Sequence, residues 1–221
     1  FRGRSNRNNW INDWKNYMQH NIVDLDCDKN DFCNISDKLI KTVEIKPNND
    51  NKVIQKGGTT EGLKYLKSFL NDRFKNYQNN ISKPMKSRTS CSRLSPYFSW
   101  GNLSTRYVWQ LAKNEISRGK SRFHLNSFTS RLRWQAHFIQ KFEMESDIEF
   151  RSINKGFEKF KKRLNNKFIS AWKKGETGYP LVDASMRCLI STGYVNFRMR
   201  ALLVSFLTHH LWQPWQEGVI Y

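Results

Sequence analysis

The sequence predicts an all-α fold. Three observations carry this reading. Apolar residues recur at spacings of three and four after Gly57 and Gly58, prolines and glycines fall where helices start and stop, and no stretch alternates apolar and polar residues as a strand does.

The elements follow in chain order. Residues 1–57 are rich in Asn, Asp and Lys, with short apolar pieces at Trp10, Trp14, Tyr17 and Met18. They read as a linker, irregular except for a short helix near residues 9–20, and residues 58–221 as the helical domain. Thr59 or Thr60 can cap the first long helix, which places Leu63, Leu66, Leu70, Phe74 and Tyr77 on one face. Residues 78–95 interrupt the pattern with Pro84 and many Ser, Thr, Lys and Arg. SPYFSWGNLS (95–104) reads as a short helix and a turn, after which Ser104 caps a helix carrying Val108, Leu111 and Ala112. A strong helix spans 126–145, with Phe128, Leu132, Gln135, Phe138, Ile139 and Phe142 near one face. Residues 155–172 form a basic helical region. Pro180 suits a first helical position and Gly193 the position past the end. The last apolar run, 196–211, carries Met199, Leu202, Leu203, Phe206 and Leu207.

Composition narrows the function classes. The 221 residues carry a formal charge of +19, with eight tryptophans. Such an excess suits an anionic partner, nucleic acid first and an anionic membrane surface second. A solvated, Lys-rich surface accounts for the charge as well. Cys27, Cys33, Cys91 and Cys188 form no CxxC pair and have no His-x-x-x-His partner, which predicts reduced thiols in an intracellular protein and no metal site. No apolar run approaches the roughly 18 residues of a membrane span. No signal peptide is visible. The chain begins at Phe1, so a longer parent protein is expected.

Certain stretches carry chemistry. In SCSRLSPYFSWG (90–101), hydroxyl residues surround Arg93 just before a helix, and backbone N–H groups, hydroxyls and a guanidinium together make an anion site. A plain serine-rich cap has the same composition. In RLRWQAHFIQKF (131–142), Trp134 and Phe138 lie one turn apart and suit either a core or a pocket wall; His137 reads as a neighbour satisfied by packing. In the run from Gly175 to Gly218, Asp183 falls in the first turn after Pro180, where it can cap the helix or pair with an arginine. Arg198 and Arg200 are two apart, about 200° around a helix, so they face different surroundings.

TGYPLVDASMRCL (177–189) resembles the signature of the DNA photolyase/cryptochrome family. SRLSPYFSWG (92–101) is similar to its flavin-phosphate loop, GGTTEGLKYLKSFL (57–70) to the helix that opens its flavin domain, and WQEG (215–218) to the end of its second signature. The resemblance covers about residues 57–221. It implies the first part of a helical domain that binds a folded FAD, with the α/β antenna domain and its chromophore lying outside this sequence, and with further flavin contacts expected beyond Tyr221.

Position by position, the resemblance assigns Tyr77, Cys91, Ser92, Arg93, Leu94, Ser95, Phe128 and Arg200 to the cofactor. Cys91 stands where the family usually has Thr, and Phe128 where a tryptophan often lies. Trp134 matches the aromatic that stacks on a flipped pyrimidine dimer, and Trp215 the middle tryptophan of the electron relay, whose outer position falls near Lys162. Arg131, Gln135 and Arg198 are assigned to the DNA face. Arg131 replaces a repair-type glutamate, so a cation stands where a carboxylate would hydrogen-bond the lesion bases. Phe197 replaces the Asn of the usual N-R-x-R, with Asn196 one position early, and Tyr194 replaces a tryptophan. Asp183 and Arg187 are expected to be structural. The implied function is flavin-dependent, blue-light-driven repair of pyrimidine dimers in damaged DNA by a monomer. A cryptochrome-like photoreceptor without repair and a non-catalytic nucleic-acid-binding module are the alternatives.

Overall fold

The computed structural model describes residues 8–23, 54–160 and 162–221. Among the described residues all regular structure is helical. Cys27, Cys33 and most of the predicted linker lie outside the described residues.

The elements are α1 (Trp10–Gln19), α2 (Thr59–Asn71), α3 (Tyr77–Asn80), α4 (Lys86–Ser90), α5 (Ser95–Ser99), α6 (Thr105–Ser117), α7 (Arg122–Met144), α8 (Asn166–Lys174), α9 (Pro180–Thr192), α10 (Phe197–Ser205) and α11 (Trp215–Ile220). Short 3₁₀ turns lie at Arg73–Asn76, Ser146–Glu149 and Lys155–Lys159, and a π turn at Phe206–His210 continues α10.

The packing forms two cores. The first joins Trp10, Trp14 and Met18 of α1 to Leu66, Phe69 and Leu70 of α2, Leu94 and Tyr97 around α5, Val108 and Ala112 of α6, and Leu125, Phe128 and Leu132 of α7. α1 belongs to this core although it precedes residue 57. The second core holds Trp172 of α8, Val182 and Met186 of α9, Met199 and Leu203 of α10, and Phe206 and Leu207 of the π turn. Burial of each large apolar side chain contributes roughly 1.5–3 kcal/mol.

Some sequence expectations shift. The apolar face over 63–77 is not one helix: α2 stops at Asn71, Asp72 leaves the helical region (φ −139°, ψ −54°), and a 3₁₀ turn carries Phe74 and delivers Tyr77. The helix starts after Gly58, and neither Thr59 nor Thr60 is its cap. Leu63 is exposed, while Phe69, absent from the expected face, is fully buried. α7 starts a turn before residue 126, and its buried stripe ends at Leu132; Phe138, Ile139 and Phe142 are exposed. The basic region 155–172 is a 3₁₀ turn, then a break, then α8. Ser104 caps α6 as expected, accepting the Tyr107 N–H at 3.4 Å.

The second core is framed by polar side chains in caps. Asn165 accepts the N–H groups of Lys167 and Phe168 at the start of α8. Asn196 does the same for Met199 at the start of α10, at 2.9 Å. Each such cap is worth about 1 kcal/mol. Pro180 is the first residue of α9 and Gly193 closes it in the left-handed conformation (φ 64°).

Asp183 pairs with the turn before its own helix. Its carboxylate accepts the Thr177 N–H (2.8 Å), the Thr177 hydroxyl (2.6 Å) and the Gly178 N–H (2.9 Å). Burial alone would raise its pKa, but these three hydrogen bonds and Arg187 outweigh burial and hold it below the ordinary value of 3.8. The turn is tight: at Gly175 (φ 69°) an added Cβ would lie 2.9 Å from the Asp183 carbonyl oxygen.

Asp183→Asn puts an amide NH₂ against this donor set and is expected to lower stability by about 2 kcal/mol in urea unfolding. The native carboxylate contributes fully above pH 3.8 and loses its contribution as pH falls through the depressed pKa. Stability of the Asn variant is therefore expected to fall less steeply in acid than that of the native chain.

Candidate functional site

The loop Cys91–Ser95 lies where the two cores meet. Leu94 and Tyr97 anchor it, each 1% exposed, and the Tyr97 hydroxyl donates to the Lys56 carbonyl at 2.7 Å. Arg93 takes a left-handed φ of 62°, and Leu94 follows in the right-handed region (φ −91°, ψ −7°). Successive residues of opposite hand turn their N–H groups toward one side, forming an anion-binding concavity. For a residue other than glycine that φ is strained, so the surroundings must hold it.

Arg73 does much of the holding. It donates to the carbonyl oxygens of Cys91, Tyr65 (2.7 Å) and Ser92 (3.3 Å), and through Nε to the Ser68 hydroxyl (3.0 Å). Gln55 adds a bond to the Arg93 carbonyl at 2.8 Å. The loop's carbonyls are thus turned toward the protein. No backbone partner for the N–H groups of Ser92, Arg93 or Leu94 is found among the described residues. Burial is the main reason that Arg73 sits below its usual pKa and that the Cys91 thiol is pushed up to about 11.

Charge agrees with this geometry. Among the described residues no carboxylate lies within 4 Å of the guanidinium of Arg73, Arg88, Arg93, Arg131, Arg198 or Arg200. The Nε atom of Arg93 is buried without a hydrogen-bond partner. Cations without acids, beside an N–H concavity, fit the phosphates of a dinucleotide.

Tyr77 connects this loop to α7. It is buried between Phe69 (ring centroids 5.6 Å) and Phe128 (5.8 Å). Its phenol is held above its ordinary pKa, first by burial and then by Cys91, while Arg131 pulls it down. Residues from α3, the loop, α7 and the α9–α10 turn therefore converge here. Phe128 packs into the core against Phe69 at 4.7 Å.

The remaining residues lie further out. Trp134 is 49% exposed, so it is not a core residue, and its ring neighbours are His137 and Phe138. Arg131, Arg198 and Arg200 are exposed. Gln135 is half-buried and lines a cavity of about 770 Å³ between α1, α6 and α7, together with Trp10, Trp14 and Arg106. Trp215 opens α11, half-buried, with α11 packed on the π turn. Lys162 donates to the carbonyls of Thr208 (2.6 Å) and Gln213 (3.3 Å), with its ammonium 4.7 Å over the Trp212 ring. At the expected outer relay position, then, a lysine closes the end of the π turn.

Residues 128–221 match the family model for the FAD binding domain of DNA photolyase. A deoxyribodipyrimidine photo-lyase of Alkalihalophilus pseudofirmus is 32% identical over 74% of this chain and 33% of its own length. Cryptochrome-2 of Arabidopsis thaliana is 30% identical over 74% of this chain and 28% of its own. The class III photolyase of Agrobacterium tumefaciens superposes with a TM-score of 0.69 at 30% identity, covering 73% of this chain and 33% of that one.

The chain belongs to the DNA photolyase/cryptochrome family.

Its described helices are those of the photolyase/cryptochrome FAD-binding domain. The Synechocystis cryptochrome superposes comparably, with a TM-score of 0.71 at 29% identity over 78% of this chain and 36% of that one. The chain spans about a third of the length of the curated relatives it matches. Sequence reasoning missed Arg73, Gln55 and Arg88. Each acts on a partner at least 18 positions away, so no local pattern marks them.

A thiol with a pKa near 11 is almost wholly protonated at pH 8, with a reactive fraction of about one in a thousand. Cys91 is therefore expected to alkylate at least tenfold more slowly than a small free thiol. Arg73→Lys keeps the charge but loses the forked donors, and is expected to speed that alkylation and to cost about 1–3 kcal/mol of stability. Peptide mapping after iodoacetamide and urea titration check both.

Proposed function

We propose that this chain is the flavin-binding part of a blue-light-driven DNA repair protein of the photolyase type, acting on pyrimidine dimers. In this reading residues 58–221 form the first part of the FAD-binding domain, with residues 1–57 as its connection to an antenna domain. The observation that supports it is Trp134: a tryptophan half-exposed on α7, flanked by the exposed Arg131, offers an aromatic face of the kind on which bases stack.

Cys91–Ser95 would hold the diphosphate of FAD, with Tyr77 and Phe128 behind it and Arg200 toward the ring system. The fit rests on the concavity at Arg93 and the orphaned Arg93 Nε. When bound, FAD supplies the light-driven one-electron chemistry. The chain's residues hold the cofactor, offer an aromatic face to the flipped lesion through Trp134, and neutralise DNA phosphates through Arg198 and neighbouring cations. Trp215 is the relay tryptophan of this assignment.

One observation favours a cryptochrome-like photoreceptor. Arg131 supplies a cation where repair calls for a carboxylate, and its charge acts on the buried Tyr77.

The deciding experiment is blue-light repair of a dimer-containing oligonucleotide by the FAD-loaded full-length protein. Light-dependent loss of the dimer is expected; bound flavin without repair would establish the photoreceptor reading. Trp134→Ala is expected to weaken preference for dimer-containing over undamaged DNA about tenfold, which corresponds to the 1–3 kcal/mol of one base stack. Arg131→Glu is expected to raise that preference, in competition binding at fixed salt.

A further inference from the structure

We infer that Tyr194 is the positioning residue of the Cys91–Ser95 loop: its ring face fixes the Arg93 side chain, and with it the left-handed turn that lets the loop receive an anion.

The Arg93 guanidinium lies 3.7 Å from the Tyr194 ring centroid. Its Nε is buried and unpartnered, so stacking sets its orientation where hydrogen bonding does not. Gln55 and Arg73 grip the loop through carbonyl oxygens and leave the Arg93 side chain free of their control. Tyr194 itself is firmly placed. Its N–H donates to the Thr192 hydroxyl at 3.3 Å, and its carbonyl accepts from the same hydroxyl at 3.2 Å. Gly193 ahead of it supplies the left-handed turn (φ 64°).

A second arginine grips the same residue from the loop's side. Arg88 of α4 donates to the Tyr194 carbonyl at 3.5 Å and to Cys188 Sγ at 3.0 Å, with its guanidinium 5.8 Å from the ring. Tyr194 is thus the point on the second core that both arginines reach. The ring face carries the effect: a phenylalanine keeps the stack, whereas alanine removes it and leaves every carbonyl contact intact.

The cofactor part of this inference rests on the reading of the loop as the diphosphate seat, so the test has two arms. In hydrogen–deuterium exchange of the full chain, Tyr194→Ala is expected to speed exchange about tenfold at the Cys91 and Phe98 amides, which bond the Ser87 and Leu94 carbonyls at the two ends of the loop, while α6 amides hold their native rate. Tyr194→Phe is expected to exchange as the native chain does. In FAD titrations followed by flavin fluorescence, Tyr194→Ala is expected to raise the dissociation constant about tenfold, and Tyr194→Phe to restore it. Unchanged exchange at the Cys91 and Phe98 amides, equal acceleration throughout α6, or failure of the phenylalanine to rescue would each overturn the role of Tyr194. A full-length protein of native sequence that binds no FAD would overturn the flavin reading instead, with the exchange arm still deciding Tyr194.

Discussion

The structure depends on a polar joint between two apolar cores. Each core is closed by its own helices, and what registers one against the other is a small set of directional contacts. Asn196 donates to the Ser87 hydroxyl at 3.1 Å and to the Ile81 carbonyl at 3.4 Å while capping α10. Arg88 and Arg93 close on Tyr194 from the other side. Apolar packing tolerates sliding because it has no direction, whereas hydrogen bonds and a cation over a ring do not. The Cys91–Ser95 loop sits at this joint, where its geometry is most narrowly set.

The joint is also where positive charge gathers without acids. Arg73, Arg88 and Arg93 all bear on the loop or its neighbour Tyr194, and among the described residues the acids that form ion pairs lie elsewhere. Like charges held this close repel one another, and the fold offsets that with carbonyl oxygens and aromatic faces. Such an arrangement is most stable when an anion is present.

Much of this was legible in the sequence, for identifiable reasons. Pro180 and Gly193 bound α9 because their own φ preferences act locally. Asp183 lies in the first turn of α9 as its spacing from Pro180 indicates, but its carboxylate closes the Thr177–Gly178 turn rather than capping the helix or pairing with an arginine, a partnership that spacing does not reveal. Other features were out of reach of a local pattern. α1 joins the first core although its surrounding composition reads as linker, because Trp10, Trp14 and Met18 fall on one face that only the tertiary fold completes. Phe138 and Phe142 continue the helical period of α7 yet are exposed among the described residues, so periodicity overstated the core. Trp134 is likewise exposed, an indole whose exposure no spacing could reveal.

The two cores draw on separate stretches of chain, the first ending at Leu132 and the second beginning at Trp172. Each can therefore collapse on contacts of its own, and the joint, which needs residues about 100 positions apart, can close only when both surfaces exist. Under the proposed reading of the loop, a phosphate-bearing ligand bound at the joint would act as a clasp on both cores, stabilising the folded state further as its concentration rises above its dissociation constant.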